Sequence, residues 1–146
     1  MAIPFTDREM ERAWRENLSA SERSVRTNAL RLLLFYAVEC GLKAIIMRRC
    51  GRRNCRTDYC PDIGTAQHDI NKLQDTLHVN RQLRLPRGIR MRDLADSCKN
   101  KEKRRVRTGQ INQMWRYGGS STGDVTDEML EEKLLRISEW IKGELR

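Results

Sequence analysis

Apolar positions recur at helical spacing along most of the chain. Thr6-Asp7-Arg8-Glu9 reads as a capping box that opens a helix running to about Leu18. That helix sets Met10, Ala13, Trp14 and Leu18 on one narrow stripe. Ser19-Ala20-Ser21-Glu22 offers a break or a second cap. Val25 to Arg49 reads as a long helix. Leu30, Leu33, Leu34, Ala37, Val38, Leu42, Ile45 and Ile46 give it an apolar face wide enough for the centre of a bundle. Gly41, in its middle, costs about 1 kcal/mol against alanine, so it is expected to permit a close helix crossing.

Cys50 to Thr65 is irregular, punctuated by Gly51, Asn54, Pro61 and Gly64. His68 to Val79 reads as a shorter helix, and Arg81 to Arg90 as a basic loop. Ile89 to Cys98 reads as a further helix through Met91, Leu94 and Ala95, followed by a charge run from Lys99 to Arg107. Val106 to Tyr117 is helical by period. Gly118 to Gly123 is a flexible loop. Thr126 caps a last helix, with Asp127, Glu128, Glu131 and Glu132 in its first turns and Leu130, Leu134, Ile137, Ile141 and Leu145 as its stripe. No alternating apolar run with turn signals is visible. The expected fold is therefore all-α: one domain, residues 1–146, forming an antiparallel bundle of four main helices plus short ones.

Composition sharpens this picture. Charged residues make up 34% of the chain and aromatic residues 5%, so base stacking on aromatic platforms is not the expected mode of any nucleic-acid contact. The net charge is +9, and its distribution matters more than its sum. Residues 48–116 hold 18 Lys/Arg against 7 Asp/Glu, whereas residues 117–146 hold 4 against 7. The excess is mostly arginine, 22 Arg to 7 Lys over the chain. Guanidinium forks suit phosphate oxygens, so a polyanion is the first partner implied. Arg48, Arg49, Arg52, Arg53 and Arg56 form one cluster. Arg84, Arg87 and Arg90 belong to a second, and Arg104, Arg105 and Arg107 to a third.

Met1 to Ser19 carries Asp, Glu and Arg with no apolar stretch, so no secretory signal is expected. Ala29 to Met47 is broken by Arg31, Glu39 and Lys43 and reads as a buried helix, not a membrane span. The five cysteines then read as reduced thiols of a cytoplasmic protein. Cys50, Cys55 and Cys60, followed by His68, supply three thiols and an imidazole, enough for a structural zinc ion in a loop that otherwise lacks a core. The spacing is not that of a common zinc finger.

The run Leu33-Leu34-Phe35-Tyr36-Ala37-Val38-Glu39-Cys40-Gly41-Leu42-Lys43 resembles the central helix of HEPN (higher eukaryotes and prokaryotes nucleotide-binding) domains, which sets a Glu and a Lys four apart in an apolar run. His68-Asp69-Ile70-Asn71-Lys72-Leu73 resembles the opening of that family's next helix, and Trp115-Arg116-Tyr117 a stretch of a later one. The resemblance covers roughly residues 25 to 146. It implies a helical bundle. Glu39 and Lys43, four apart, read as a helix ion pair, and with His68, Asp69, Arg116 and Tyr117 as a structural polar network, since polar residues on apolar helices must find partners. The family's ribonucleases carry an arginine, then four to six intervening residues, then a histidine. Positions 61–63 here are Pro, Asp and Ile, and positions 71–73 are Asn, Lys and Leu, so neither His68 nor His78 has that arginine.

The resulting expectation is a non-catalytic nucleic-acid-binding or adaptor subunit. RNA is favoured over DNA, in a prokaryotic defence or toxin–antitoxin complex with a protein partner or a second copy. One alternative is a divergent metal-independent endoribonuclease using His68 and Arg116. Another is a small structural subunit of a guide-RNA complex.

Overall fold

Thr6 caps α1 (Asp7–Ser21): its hydroxyl accepts the Glu9 amide, and the Glu9 carboxylate accepts the Thr6 amide at 3.2 Å. In this computed structural model the described residues are 3–50, 55–95 and 97–146. The central helix, α2 (Asn28–Arg49), starts at the Thr27 cap, three residues later than the hydrophobic pattern suggests. It is the hub of the molecule. α1, α4 (Ile70–Leu77), α5 (Ile111–Arg116) and α6 (Asp127–Glu144) all pack against it. Leu34, Phe35, Ala37, Val38, Leu42, Ala44 and Met47 are fully buried within it. None of the described helices is long and apolar enough to cross a membrane.

α1, α2 and α6 meet over Gly41. A Cβ built there would lie 2.8 Å from Ile141 Cγ2 and 3.0 Å from Trp14 Cδ1. Gly41→Ala is therefore expected to destabilise the chain by about 1–3 kcal/mol through overpacking, against the gain in helix propensity. Denaturant unfolding measures this, and equal or higher stability would contradict the crossing.

The fold departs from the all-α expectation between α4 and α6. There, β1 (Ile89–Ala95), β2 (Lys101–Val106) and β3 (Ser121–Thr122) form a three-stranded antiparallel sheet in the order β2–β1–β3. The molecule is thus a mixed helix-and-sheet fold, with six α-helices among the described residues, including the short α3 (Pro61–Ala66), and not a purely helical bundle of four main helices. The helix expected over Ile89–Cys98 is β1. The charge run contains β2, and the loop Gly118–Gly123 contains β3.

The reason lies in burial. Ile89 faces Val106 across the strands, and these two buried side chains, with the partly buried Met91 beside them, plug the base of the β1–β2 ribbon into the core. Farther out the two strands are largely solvated, so neither shows the period-2 alternation of a half-buried strand. A bulge between Met91 and Leu94 shifts the register within the ribbon.

The sheet is fastened to the helices at two ends. Thr108, in the 3₁₀ turn Thr108–Gln110, donates its hydroxyl to Asp69 Oδ1 at 2.8 Å, and Asp69 in turn caps α4. At the other end α5 stops at Gly118, whose φ of 80° suits glycine, and the Gly119 amide returns to the Met114 carbonyl at 2.7 Å. The Asp127 carboxylate accepts Trp115 Nε1 at 2.9 Å and the Ser121 amide at 3.1 Å, which joins α5, β3 and α6.

Candidate nucleic-acid interface

Residues 89–107, the ribbon and its turn, carry eight Lys/Arg against three Asp/Glu. Two features make this more than a charge run. First, Arg90 stands directly opposite Arg105 in the register, and Met91 opposite Arg104. Like charges placed across a strand pair cost stability, so this arrangement is unfavourable without an anion between them. Second, among the described residues no ion pair uses Arg90, Arg92, Lys101, Lys103, Arg104, Arg105 or Arg107. Arg104 is held by a donation from its Nε to the Arg92 carbonyl at 2.9 Å.

The basic clusters of the sequence therefore separate into two kinds. Arg48 is paired with Glu11, Arg49 with Glu144 at 3.1 Å, Arg56 with Asp58 at 2.8 Å and Arg84 with Asp75. These side chains are spent on holding elements together. Arg87, in the exposed loop before β1, has no ion pair among the described residues, and neither have the ribbon arginines 90, 104, 105 and 107. Arg52 and Arg53 lie outside the described residues.

Beside the ribbon lies an open cleft of about 760 Å³, between β1–β2 and the turn that follows α5. Arg92, Lys103, Arg104 and Arg105 line one side, and Gln110, Gln113, Tyr117 and Ser120 the other, with no carboxylate lining it among the described residues. A concave surface with cations, amide donors and no acid suits an anionic chain. Tyr117 is 76% exposed, and the Arg116 guanidinium sits 5.6 Å from its ring. The glutamines and Ser120 carried no signal in the sequence: they reach the cleft only because β2 folds back beside α5.

The polar residues of α2 form a separate site. Glu39 is buried, and its two carboxylate oxygens are both engaged: Oε2 accepts Lys43 Nζ at 3.0 Å, and Oε1 meets His68 Nδ1 at 2.9 Å. The His68 side chain is half exposed. Asp69 is turned away to Thr108 and to the Asn71 and Lys72 amides. Arg116 stacks on Tyr117 and makes no hydrogen bond or ion pair with His68 among the described residues. The neighbouring Cys40 thiol is pushed up to about 11, first by burial and then by the charge of Glu39.

Three thiols converge at the far end of α2. Cys50 Sγ lies 3.0 Å from Cys60 Sγ, which lies 3.4 Å from Cys55 Sγ. All three sulfurs fall within 4.8 Å of one another, close enough to hold a metal ion together. Burial and the two neighbouring thiols push the Cys60 thiol far above the ordinary range. His68 is not in this cluster, because its imidazole is taken by Glu39.

In comparisons with family models, curated proteins and solved structures, nothing matches the chain.

Proposed function

We propose that the chain is a non-catalytic nucleic-acid-binding subunit that holds phosphates along the β1–β2 ribbon and in the cleft beside it. One observation carries this reading. Among the described residues Arg48, Arg49, Arg56 and Arg84 are paired with carboxylates, whereas Arg90, Arg92, Arg104 and Arg105 of the ribbon are not, and Arg90 stands opposite Arg105 in the register. Contacts of this kind give affinity and salt dependence without reading sequence.

RNA is the first ligand to test, on the resemblance of residues 25 to 146 to HEPN domains. The same resemblance makes a prokaryotic defence or toxin–antitoxin complex the setting, with a protein partner or a second copy of the chain. Thiols that must stay reduced suit the cytoplasm. The thiol cluster is given no part in the nucleic-acid contact.

A gel with end-labelled single-stranded RNA and DNA, run in native and denaturing lanes, tests the reading. A native shift with intact RNA is the expected result. Absence of any shift on either nucleic acid overturns it and moves the basic ribbon to an acidic protein partner. A second reading, ribonuclease, is favoured by one observation: a buried carboxylate holds the ring of a half-exposed histidine, His68, at Nδ1, an arrangement that suits a general base. RNA fragments that vanish in His68→Ala would establish it.

A further inference from the structure

We infer that Cys50, Cys55 and Cys60 bind one zinc ion through three thiolates, at a site separate from the ribbon. The three residues come from different pieces of backbone. Cys50 follows the last turn of α2, and Cys55 precedes Arg56, which bridges to Thr6. Cys60 stands immediately before α3. A disulfide would use two sulfurs and give the third no role, whereas all three converge on one point. A tetrahedral ion with zinc–sulfur bonds of about 2.3 Å sets its ligand sulfurs about 3.8 Å apart. The observed sulfur separations, from 3.0 Å to within 4.8 Å, bracket that spacing. Small shifts of the side chains alone close the site.

The surroundings explain why an ion is needed there. Between α2 and α4 the described chain has no helix longer than α3, and its larger buried side chains are few: Cys55, Cys60 and Ile63. The N-terminal segment docks on this same stretch. The Thr57 amide donates to the Phe5 carbonyl at 2.9 Å, and the Asp7 amide to the Cys55 carbonyl at 3.3 Å. An ion held by the three sulfurs ties the end of α2, the docking strip for the N-terminus and the start of α3 into one unit.

Soft thiolate ligands in a tetrahedral set select zinc among the common divalent ions. Binding releases the three thiol protons, and zinc with three thiolates carries one net negative charge in a stretch rich in arginine. The fourth position falls to solvent. Residues 51–54 are Gly, Arg, Arg and Asn, which offer no ordinary zinc ligand, and no further His, Cys, Asp or Glu joins the cluster among the described residues. Cys50, the exposed member, marks the open side.

The test is metal analysis of the full chain purified under reducing conditions without chelator. About one zinc per chain is expected, replaceable by cobalt with the visible absorption of a tetrahedral thiolate site. Cys60→Ser is expected to lose the ion, and His68→Ala to keep it. If Cys60→Ser does not fold, Cys50→Ser at the exposed helix end takes its place. Reduced wild-type protein that takes up neither zinc nor cobalt would overturn the site. So would zinc lost equally from His68→Ala, or a chain purified with a Cys50–Cys60 disulfide and no metal. None of these outcomes bears on nucleic-acid binding, which is scored separately by the gel.

Discussion

Arg90→Ala combined with Arg105→Ala is expected to weaken RNA binding by roughly 10- to 100-fold at about 0.1 M salt while leaving the fold equally or more stable. The two effects have opposite signs for one reason. In the unbound chain the two arginines are cross-strand partners in the β1–β2 register, and neither is ion-paired with a carboxylate among the described residues. Removing them relieves a like-charge pair, which is worth a few tenths of a kcal/mol to about 1 kcal/mol. In the complex each is expected to hold a phosphate, and the lost contacts lower the salt slope by about two.

Arg84→Ala is the matched control. Its guanidinium is already paired with Asp75, so its loss should cost under about 1 kcal/mol of stability and leave binding nearly unchanged. Fluorescence anisotropy and thermal unfolding on the same three proteins read both quantities. Equal loss of binding in Arg84→Ala would show that the ribbon is not the phosphate surface, and a double variant less stable than wild type would contradict the like-charge pair.

Glu39→Ala carries the second large effect. The expected loss of stability is about 3–5 kcal/mol, the range for removing one partner of a buried ion pair. Lys43 is the reason: its side chain is 11% exposed, and the Glu39 carboxylate is its only ion-pair partner among the described residues. Alanine leaves that ammonium buried with no counter-charge and also frees the His68 ring. Glu39→Gln should cost less, because an amide oxygen still accepts from Lys43. Denaturant unfolding of both variants measures the difference. Wild-type stability in Glu39→Ala, combined with lost RNA cleavage or binding, would make the cluster a functional site and not a structural brace.

Much of the helical frame could be read from the chain because its signals are local. The Thr6–Glu9 box, the Thr126 cap and the stripe of Leu130, Leu134, Ile137 and Ile141 each lie within a few residues of one another, and all appear in the fold. The sheet could not be read this way. Its apolar anchors, Ile89 and Val106, are 17 positions apart and meet only when the ribbon closes. Between them the side chains are mostly charged, and Met91, Leu94 and Ala95 happen to fall at helical spacing.

The candidate surface was half visible for a related reason. Composition located the arginines, but which of them are free depends on distant carboxylates, such as Glu144 for Arg49 and Glu11 for Arg48. The same holds for His68. In sequence it lies near Cys60 and looks like a fourth ligand, yet the helix packing hands its ring to Glu39, 29 positions earlier.

The most direct measurement is the affinity of the wild-type chain for single-stranded RNA as salt rises from about 50 to about 200 mM. If the ribbon and its cleft hold four or more phosphates, affinity should fall by about 50-fold or more over that range. Affinity that stays level with salt, or no binding even at the lowest salt, would contradict a phosphate-binding ribbon.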